Sequence, residues 1–246
     1  MIFALSATKN FYKYLPINVF NILRTNPCEK IYIFIEDDAL NLPFTNAEIV
    51  YINMHKIGLN KEGANYNTSF SIATLCRLYL AQLVTEDKII YCDMDALVVG
   101  NLTQLWDLDM GNYYVAGVVD QGILDYEDYI RRFANPETYI NTGVLLMNLK
   151  KIREDNKTPE LIDYVNQNKL IFPDQDAINW VFKDKILIVD QKFNASQATG
   201  IPHKFLIFHW AGLKQDWVYN REYSYLWTRS ERDFIEIFAR PVEEKR

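Results

Sequence analysis

Residues 88–95 read KIIYCDMD, a run of strand-forming residues that ends in the two aspartates Asp93 and Asp95. Side chains two positions apart on an extended chain point to the same side. If the extended conformation continues through residue 94, both carboxylates converge at the carboxyl end of the strand. Such a pair offers the oxygen ligands that Mg²⁺ or Mn²⁺ binds together with substrate phosphates. The segment predicts a strand that carries a metal site; the alternative is two solvated aspartates in a turn.

The Asp-x-Asp spacing also occurs at positions 107–109 and 174–176, so spacing alone does not identify a site. Only the pair Asp93 and Asp95 follows a run of strand-forming residues and precedes a second apolar segment, residues 96–100. The pair at 107–109 is better explained by a turn or a helix terminus. Sequence context therefore selects Asp93 and Asp95 as candidate metal ligands.

Strand-like and helix-like segments alternate along the rest of the chain. Apolar runs predict strands at residues 2–7, 31–35, 49–52, 88–92, 113–119, 143–148, 186–189 and 205–208. Helical spacing of apolar residues predicts helices at residues 11–25, 69–84, 150–168, 175–182 and 230–239. This alternation is typical of an α/β fold with a mostly parallel central sheet flanked by helices, which binds ligands at the carboxyl ends of its strands. Because no repeat or linker divides the chain, we predict a single domain, residues 1–246, with residues 218–246 as a C-terminal helical extension.

A second apolar run, residues 205–208, is followed by His209, Gly212 and Lys214. A lone histidine in such a place is more often a hydrogen-bonded core residue than a ligand. Here a glycine that allows close backbone approach and a lysine suited to phosphate come after it, which together indicate a clamp for a diphosphate. Two aspartates and a diphosphate carry more negative charge than one divalent metal neutralises. Lys214 and Arg77 are therefore candidate cations; the alternative for Arg77 is a solvated surface charge.

Composition narrows the classes of function. A net charge of −6 argues against nucleic acid as a partner, because binding to its phosphates needs a basic face. The apolar runs are far shorter than the roughly 20 residues that span a bilayer, and the first residues lack a secretory signal, so we expect a cytoplasmic protein. Three widely spaced cysteines fit reduced thiols.

Residues 218–246 have the pattern of an amphipathic helix that packs on the domain; the alternative is peripheral contact with a membrane-borne acceptor at the inner face of the membrane.

Six segments, in their order along the chain, resemble glycosyltransferase family 8. That family includes bacterial lipopolysaccharide galactosyl- and glucosyltransferases and eukaryotic glycogenin. The resemblance covers the chain up to about residue 220 and rests on residues 75–78, 90–95, 102–106, 141–149, 173–176 and 209–214. It implies a GT-A type fold, the fold of nucleotide-diphospho-sugar transferases, and a retaining, metal-dependent enzyme.

The resemblance also implies the substrates and the residues that bind them. The enzyme would move a hexose, galactose or glucose, from a UDP-sugar to a glycan or lipid-linked saccharide. Mn²⁺, or alternatively Mg²⁺, would be held by Asp93, Asp95 and His209. The residues that match donor-binding positions are Thr8, Asn10, Phe11, Arg77, Asp93, Met94, Asp95, Asn141, Asp174, Gly212 and Lys214. The catalytic candidates near the transferred sugar are Gln175, Asp176 and Asp120.

Two segments depart from the family pattern. Many members carry an acidic pair before an asparagine and a tyrosine in the first loop, whereas this chain has Thr8 and Lys9 before Asn10 and Phe11. The aromatic ring that can stack on uracil is kept, but the acid is not. Many members also read Gly-x-x-Lys-Pro-Trp after the histidine, whereas residues 212–217 read GLKQDW. The departures concern recognition of the base and the position of the lysine near the phosphate.

The glutamine at position 175 bears on the mechanism. Sugar transfer passes through an oxocarbenium-like state, so a group near the anomeric carbon must stabilise positive charge or attack covalently. Glutamine is a poor nucleophile, which favours attack by the acceptor on the same face over a covalent intermediate on Asp176 or Asp120. Pro173 and Asp174 also have the pattern of a helix start. We expect Asp174 to cap that helix while Gln175 and Asp176 face the sugar.

Three other functions are alternatives. A glycogenin-like self-glucosylating protein would use some of the 16 tyrosines as acceptors. A non-catalytic carbohydrate-binding domain would not need the set of metal ligands and lysine. A nucleotidyltransferase or phosphohydrolase is disfavoured, because the sequence has no phosphate-binding loop of the GxxxxGK[ST] type.

Overall fold

The computed structural model describes residues 1–66, 72–132, 134–212 and 222–238. Within these ranges the strands are β1 Ile2–Ser6, β2 Lys30–Ile35, β3 Glu48–Asn53, β4 Lys88–Cys92, β5 Ala96–Val98, β6 Val115–Gly117, β7 Val144–Asn148, β8 Ile186–Ile188 and β9 Ile207–His209. The α-helices are α1 Leu15–Thr25, α2 Ile72–Cys76, α3 Leu80–Leu83, α4 Thr103–Trp106, α5 Glu127–Ile130, α6 Leu149–Glu154, α7 Lys157–Gln167, α8 Pro173–Val181 and α9 Ser224–Phe238. Short 3₁₀ helices cover Lys9–Tyr14, Met54–Lys56, Arg77–Tyr79, Gln121–Tyr126, Pro136–Thr138 and Gln191–Phe193.

Seven strands form one sheet in the order β3-β2-β1-β4-β7-β6-β8. The pairs β3–β2, β2–β1, β1–β4 and β6–β8 are parallel, whereas β7 runs antiparallel to both of its neighbours, β4 and β6. The predicted α/β class with a mostly parallel sheet is confirmed. Because β7 is reversed, its amino end lies beside the carboxyl end of β4. At β7 it is therefore the amino end, not the carboxyl end, that lies on the side where such sheets bind ligands.

The strands read as continuous apolar runs because both faces of the sheet are covered. Successive side chains of a strand point to opposite faces, so neighbours enter different layers. Phe3 and Ile33 pack in the layer that contains α1 and Trp227 of α9. Ala4 and Phe34 pack in the other layer, with residues of α2, α3, α7 and α8.

Strands β5 and β9 form a separate antiparallel pair. In this pair Ala96 lies opposite His209, and the backbone N–H of Trp210 donates to the carbonyl oxygen of Asp95 at 2.9 Å. The pair therefore ties the segment that follows β4 to a segment far away in the sequence.

Several predicted helices are interrupted. The helix predicted at 150–168 ends at Glu154 and resumes at Lys157, because Asn156 adopts a left-handed conformation with φ of 51° that breaks the helical path. The helix predicted at 69–84 is described from Ile72 onward, and a 3₁₀ turn at Arg77–Tyr79 separates its two α-helical parts. The helix predicted at 11–25 begins with the 3₁₀ turn before α1.

Helix α9 covers the predicted helix at 230–239 up to Phe238 and begins earlier, at Ser224. It packs on α1: Ser230 Oγ donates to Asn21 Oδ1 at 3.1 Å, and Arg24 pairs with Asp233 at 2.7 Å. The other parts of the predicted extension, residues 218–221 and 239–246, lie outside the described residues. Among the helices that the structure describes, none combines the length and the apolar character needed to cross a membrane.

Candidate active site

Asp93, Asp95 and His209 converge on one point at the edge of the sheet that is formed by the carboxyl ends of β1, β2 and β4. One ligand atom from each side chain lies within 4.8 Å of the others. The sequence predicts an extended chain through Met94, but the chain turns there instead. The N–H of Ala96 donates to the carbonyl oxygen of Asp93 at 3.0 Å. A turn between β4 and β5 thus brings the two carboxylates together. The side chain of Met94 is buried in the core, so it contributes packing.

The pairing of β5 with β9 places the third member, His209, whose ring is buried. Its Nε2 lies 3.3 Å from Asp95 Oδ1. Burial disfavours the charged ring, but the carboxylates of Asp95 and Asp93 outweigh it, and the pKa of His209 is raised above its ordinary value. Burial also raises the pKa of Asp93; Arg77 opposes that shift and Asp95 adds to it. A divalent cation would relieve the mutual repulsion of the two carboxylates, so the donor set fits a metal ion.

The carboxylate of Asp93 is oriented by residues behind it. Arg77 Nη2 and the Tyr91 hydroxyl donate to Asp93 Oδ1 at 2.6 and 2.9 Å. Arg77 Nη1 reaches Oδ2 only at 3.4 Å. The guanidinium also stacks on the Tyr91 ring, 4.4 Å from its centroid. Among the described contacts, Oδ2 is the less engaged oxygen and therefore the better placed to bind a metal.

Arg77 is buried and fully engaged, so the alternative that it is a solvated surface charge is wrong. Its side chain is 2% exposed and pairs with Asp93 at 2.6 Å and, through Nε, with Asp174 at 3.2 Å. It also donates to the carbonyl oxygens of Thr74, at 3.0 Å, and of Thr142. Two carboxylates already balance this charge, so the structure gives little support to Arg77 as the cation for a donor diphosphate.

The predicted residues around the sugar form one buried network. Asp120 Oδ2 accepts from Asn141 Nδ2 at 3.1 Å and from Gln175 Nε2 at 3.0 Å. Gln175 Oε1 accepts from the backbone N–H of Thr142 at 3.2 Å, and the Thr142 hydroxyl donates to Asp174 Oδ2 at 2.8 Å. Through Asp174 the network reaches Arg77 and, through Arg77, Asp93 of the candidate metal site. The helix N-cap is Phe172 rather than Asp174, which corrects the predicted cap.

Asp176 differs from the expectation that it faces the sugar. It is 0% exposed, and its Oδ1 accepts from the Tyr139 hydroxyl at 2.6 Å. Its Oδ2 accepts from the Tyr129 hydroxyl at 2.7 Å and from the N–H of Phe172 at 2.9 Å. Burial raises the pKa of Asp176 although these donors oppose the shift. In this geometry Asp176 anchors α8 to neighbouring segments. Both of its carboxylate oxygens are directed at these donors and not at the candidate metal ligands.

The first loop lies at the same edge of the sheet, because β1 is the parallel neighbour of β4. Thr8 precedes a 3₁₀ turn in which the N–H of Phe11 donates to the Thr8 carbonyl oxygen at 2.8 Å, and Asn10 is exposed. The N–H of Lys9 donates to Glu36 Oε2 at 2.6 Å. An acid from the end of β2 therefore stands beside the loop that lacks the family's acidic pair.

Gly212 has φ of 75°, a left-handed conformation that favours glycine. Lys214 lies outside the described residues, so the structure does not address its predicted contact with phosphate.

Sequence reasoning missed Asn194 and the role of Gly143. Asn194 is fully buried, and its Oδ1 lies 2.9 Å from His209 Nδ1. A side chain on Gly143 would overlap the His209 ring. Asn194 follows a short 3₁₀ turn and has no periodic or motif signal of its own. Gly143 stands in the segment 141–149 that carries the resemblance, and this was the one available signal.

Similar structures agree with this architecture. An active-site mutant of LgtC matches with a TM-score of 0.79 and 22% identity over 95% of this chain and 96% of that one. Galactosyltransferase LgtC in complex with donor and acceptor sugar analogs matches with a TM-score of 0.75 and 21% identity over 99% and 98% of the two chains. At these identities the similarity shows a shared fold, and the predicted GT-A type fold is confirmed.

Sequence relatives point to the same group. A putative glycosyltransferase of Haemophilus influenzae is 27% identical over 214 residues, which cover 77% of this chain and 61% of the relative. A lipopolysaccharide 1,2-glucosyltransferase of Escherichia coli is 31% identical over 132 residues, 51% of this chain and 39% of the relative. The family model described as glycosyl transferase family 8 matches residues 6–220. With most of its length matched by that model, the chain belongs to glycosyltransferase family 8.

Proposed function

We propose that the chain is a retaining, metal-dependent hexosyltransferase that moves galactose or glucose from a UDP-sugar to a saccharide or glycolipid acceptor. The observation that carries the proposal is the convergence of Asp93, Asp95 and His209 at the same sheet edge as the buried pair Asp120 and Gln175. One cluster suits a metal and a diphosphate, and the other suits a sugar next to it. Family membership supports this assignment.

Asp93, Asp95 and His209 would hold Mn²⁺, with Mg²⁺ as the alternative. A bound metal supplies positive charge against the negative charge that develops on the departing diphosphate. Arg77 and Tyr91 hold Asp93 in its orientation through hydrogen bonds to Oδ1. Of the two candidate cations Arg77 is already paired, so we assign further neutralisation of the diphosphate to Lys214.

Gln175 and Asp120 would act at the transferred sugar. The Gln175 amide is held at both ends, by Asp120 and by the backbone N–H of Thr142, so it presents a fixed polar surface rather than a nucleophile. The buried Asp120 carboxylate can stabilise the positive charge of an oxocarbenium-like state. We therefore favour attack by the acceptor on the same face, and Asp120 over Asp176 as the carboxylate involved. A glycosyl adduct trapped on Asp120 would contradict this mechanism.

The remaining predicted residues are assigned to the donor. Phe11 offers a ring for the base, and Thr8 and Asn10 flank it. Gly212 allows close backbone approach of the phosphates. Asn141 and Asp174 complete the surroundings of the sugar through their bonds to Asp120 and Arg77.

The test is release of UDP from a panel of UDP-sugars, with Mn²⁺ or with EDTA, in the presence and absence of saccharide acceptors. We expect metal-dependent turnover of one UDP-hexose. No release from any donor by the folded protein would contradict the proposal. Mass increments of a hexose on the protein itself, without added acceptor, would instead indicate self-glucosylation.

A further inference from the structure

The Asn194 side chain links the His209 ring to the sugar side of the site. Its Oδ1 lies 2.9 Å from His209 Nδ1, and its Nδ2 donates to Asn141 Oδ1 at 2.9 Å. Asn194 is 0% exposed, and His209 and Asn141 are also buried. Buried polar atoms need partners, so these contacts constrain all three side chains.

One backbone donor decides the orientation of both side-chain amides, first that of Asn141 and then that of Asn194. The N–H of Gly143 donates to one side-chain atom of Asn141 at 3.0 Å, and this atom must be the oxygen because a backbone N–H can only donate. The other amide atom of Asn141 is then the nitrogen, and it donates to Asp120 at 3.1 Å. Asn194 must direct its own nitrogen to the oxygen of Asn141. Its oxygen therefore faces the ring of His209.

The oxygen of Asn194 can only accept, so His209 Nδ1 must carry the hydrogen. In a neutral ring this leaves Nε2 unprotonated, and Nε2 is the atom that lies beside Asp95. Histidine ligands commonly have such a partner on the nitrogen that does not bind the metal, and this partner selects the tautomer and orients the ring.

The edge of the ring between the two nitrogens is confined as well. A methyl group on Gly143 would overlap His209 Cε1. The same residue accepts the backbone N–H of Asp93 through its carbonyl oxygen at 2.7 Å. The lack of a side chain at Gly143 thus lets the histidine sit next to the aspartate.

We infer that Asn194 is a positioning residue for the metal centre: it fixes the tautomer and orientation of His209, with Gly143 leaving room for the ring, and joins this ligand to Asp120 through Asn141. The inference rests on the metal centre of the proposed function. It adds a residue that does not touch the metal but determines which nitrogen is offered to it.

The test measures binding of Mn²⁺ alone to the full chain, by the EPR signal of free Mn²⁺, so it needs neither donor nor turnover. Asn194→Leu keeps the branched shape of the side chain but removes the acceptor, and we expect it to weaken Mn²⁺ binding by about 10- to 100-fold. Asn194→Asp keeps an acceptor for Nδ1–H and should bind Mn²⁺ within about threefold of the wild type, even though it loses thermal stability with the bond to Asn141.

A matched control is Asn21→Leu. Asn21 is also fully buried and hydrogen-bonded, to Ile17 and Ser230, but it lies in the contact between α1 and α9. It should lose thermal stability and keep the wild-type affinity for Mn²⁺. This separates positioning of a ligand from a general loss of packing.

Gly143→Ala acts on the same ligand at Cε1 and keeps the inference testable if Asn194→Leu does not fold. It should also weaken Mn²⁺ binding. Wild-type affinity in either variant would overturn the inference, as would equal losses in Asn194→Leu and Asn194→Asp. A wild-type chain that binds no Mn²⁺ would overturn it too, whereas transferase activity is decided separately by release of UDP.

Discussion

Two Asp-x-Asp segments of this chain contribute to one site, and their side chains take different directions. At 93–95 the backbone turns between two strands, and both carboxylates face a common point with His209. At 174–176 the backbone is the first turn of α8, where residues two positions apart differ in direction by roughly 200°. Asp174 turns toward the sheet edge, and Asp176 turns away toward two tyrosines. The local backbone, rather than the spacing, decides whether two carboxylates converge.

The largest expected effect concerns Arg77, which joins one aspartate of each segment. Arg77→Ala leaves the partly buried Asp93 and the buried Asp174 without their common cation, so the free energy of unfolding should fall by about 3–5 kcal/mol. Denaturant unfolding measures this loss. Arg77→Lys keeps a charge but cannot reproduce the forked contacts, so it should be intermediate. Wild-type stability of Arg77→Ala would show that the two segments are not tied together in this way.

The next effect separates the converging pair from an exposed one. Asp95→Asn removes a charged ligand, and metal-dependent release of UDP should fall by about 100-fold or more. Asp109→Asn is the matched control, because Asp109 caps a turn through the N–H of Gly111, at 2.9 Å, and is exposed. It should keep wild-type turnover. Similar losses in both variants would argue against the special role of the first segment.

A smaller effect concerns pH. Because folding raises the pKa of His209, the protonated ring stabilises the metal-free fold at pH values below its ordinary pKa of 6.5. This contribution disappears as the pH rises through the raised pKa. A proton on Nε2 competes with a metal, so the apparent affinity for Mn²⁺ should rise with pH over the same range, by at most about tenfold per pH unit for one displaced proton. An EPR titration at several pH values measures this. His203→Gln, which alters an exposed histidine, should leave the profile unchanged, and a wild-type affinity independent of pH would contradict the assignment of His209 as a ligand.

The smallest effect tests the diverging pair. Asp176→Asn replaces one carboxylate oxygen by an NH₂ group, which cannot accept a hydrogen bond from Tyr139, Tyr129 or Phe172. The free energy of unfolding should therefore fall by about 1–2 kcal/mol. Turnover should stay within about threefold, because Asp176 faces these donors rather than the cluster. Calorimetry and the UDP assay measure the two quantities. A loss of turnover with unchanged stability would restore Asp176 as a catalytic candidate.

Parts of the site with a local pattern were predictable. The strand before Asp93 and the apolar run before His209 have strand-forming composition, and the start of α8 has proline and acids in its first turn. The turn at Met94, the break at Asn156 and the burial of Arg77 were not predictable. Each depends on what the segment packs against, because the same residues can form a longer strand, a continuous helix or a solvated charge in isolation.

The sequence by itself determined the alternation of strands and helices, the layers to which successive side chains belong and the residue types offered for a metal site, because these follow from periodicity and composition within short windows. The tertiary structure alone decided that β7 runs in reverse and that β5 pairs with β9. Those two choices bring Gly143 and His209 to Asp93 and Asp95, and the bridge between Ala195 and Phe208 brings Asn194 to the histidine. Pairing between distant segments depends on which arrangement buries the most apolar surface and satisfies every buried polar group, a property of the whole fold and not of any one segment.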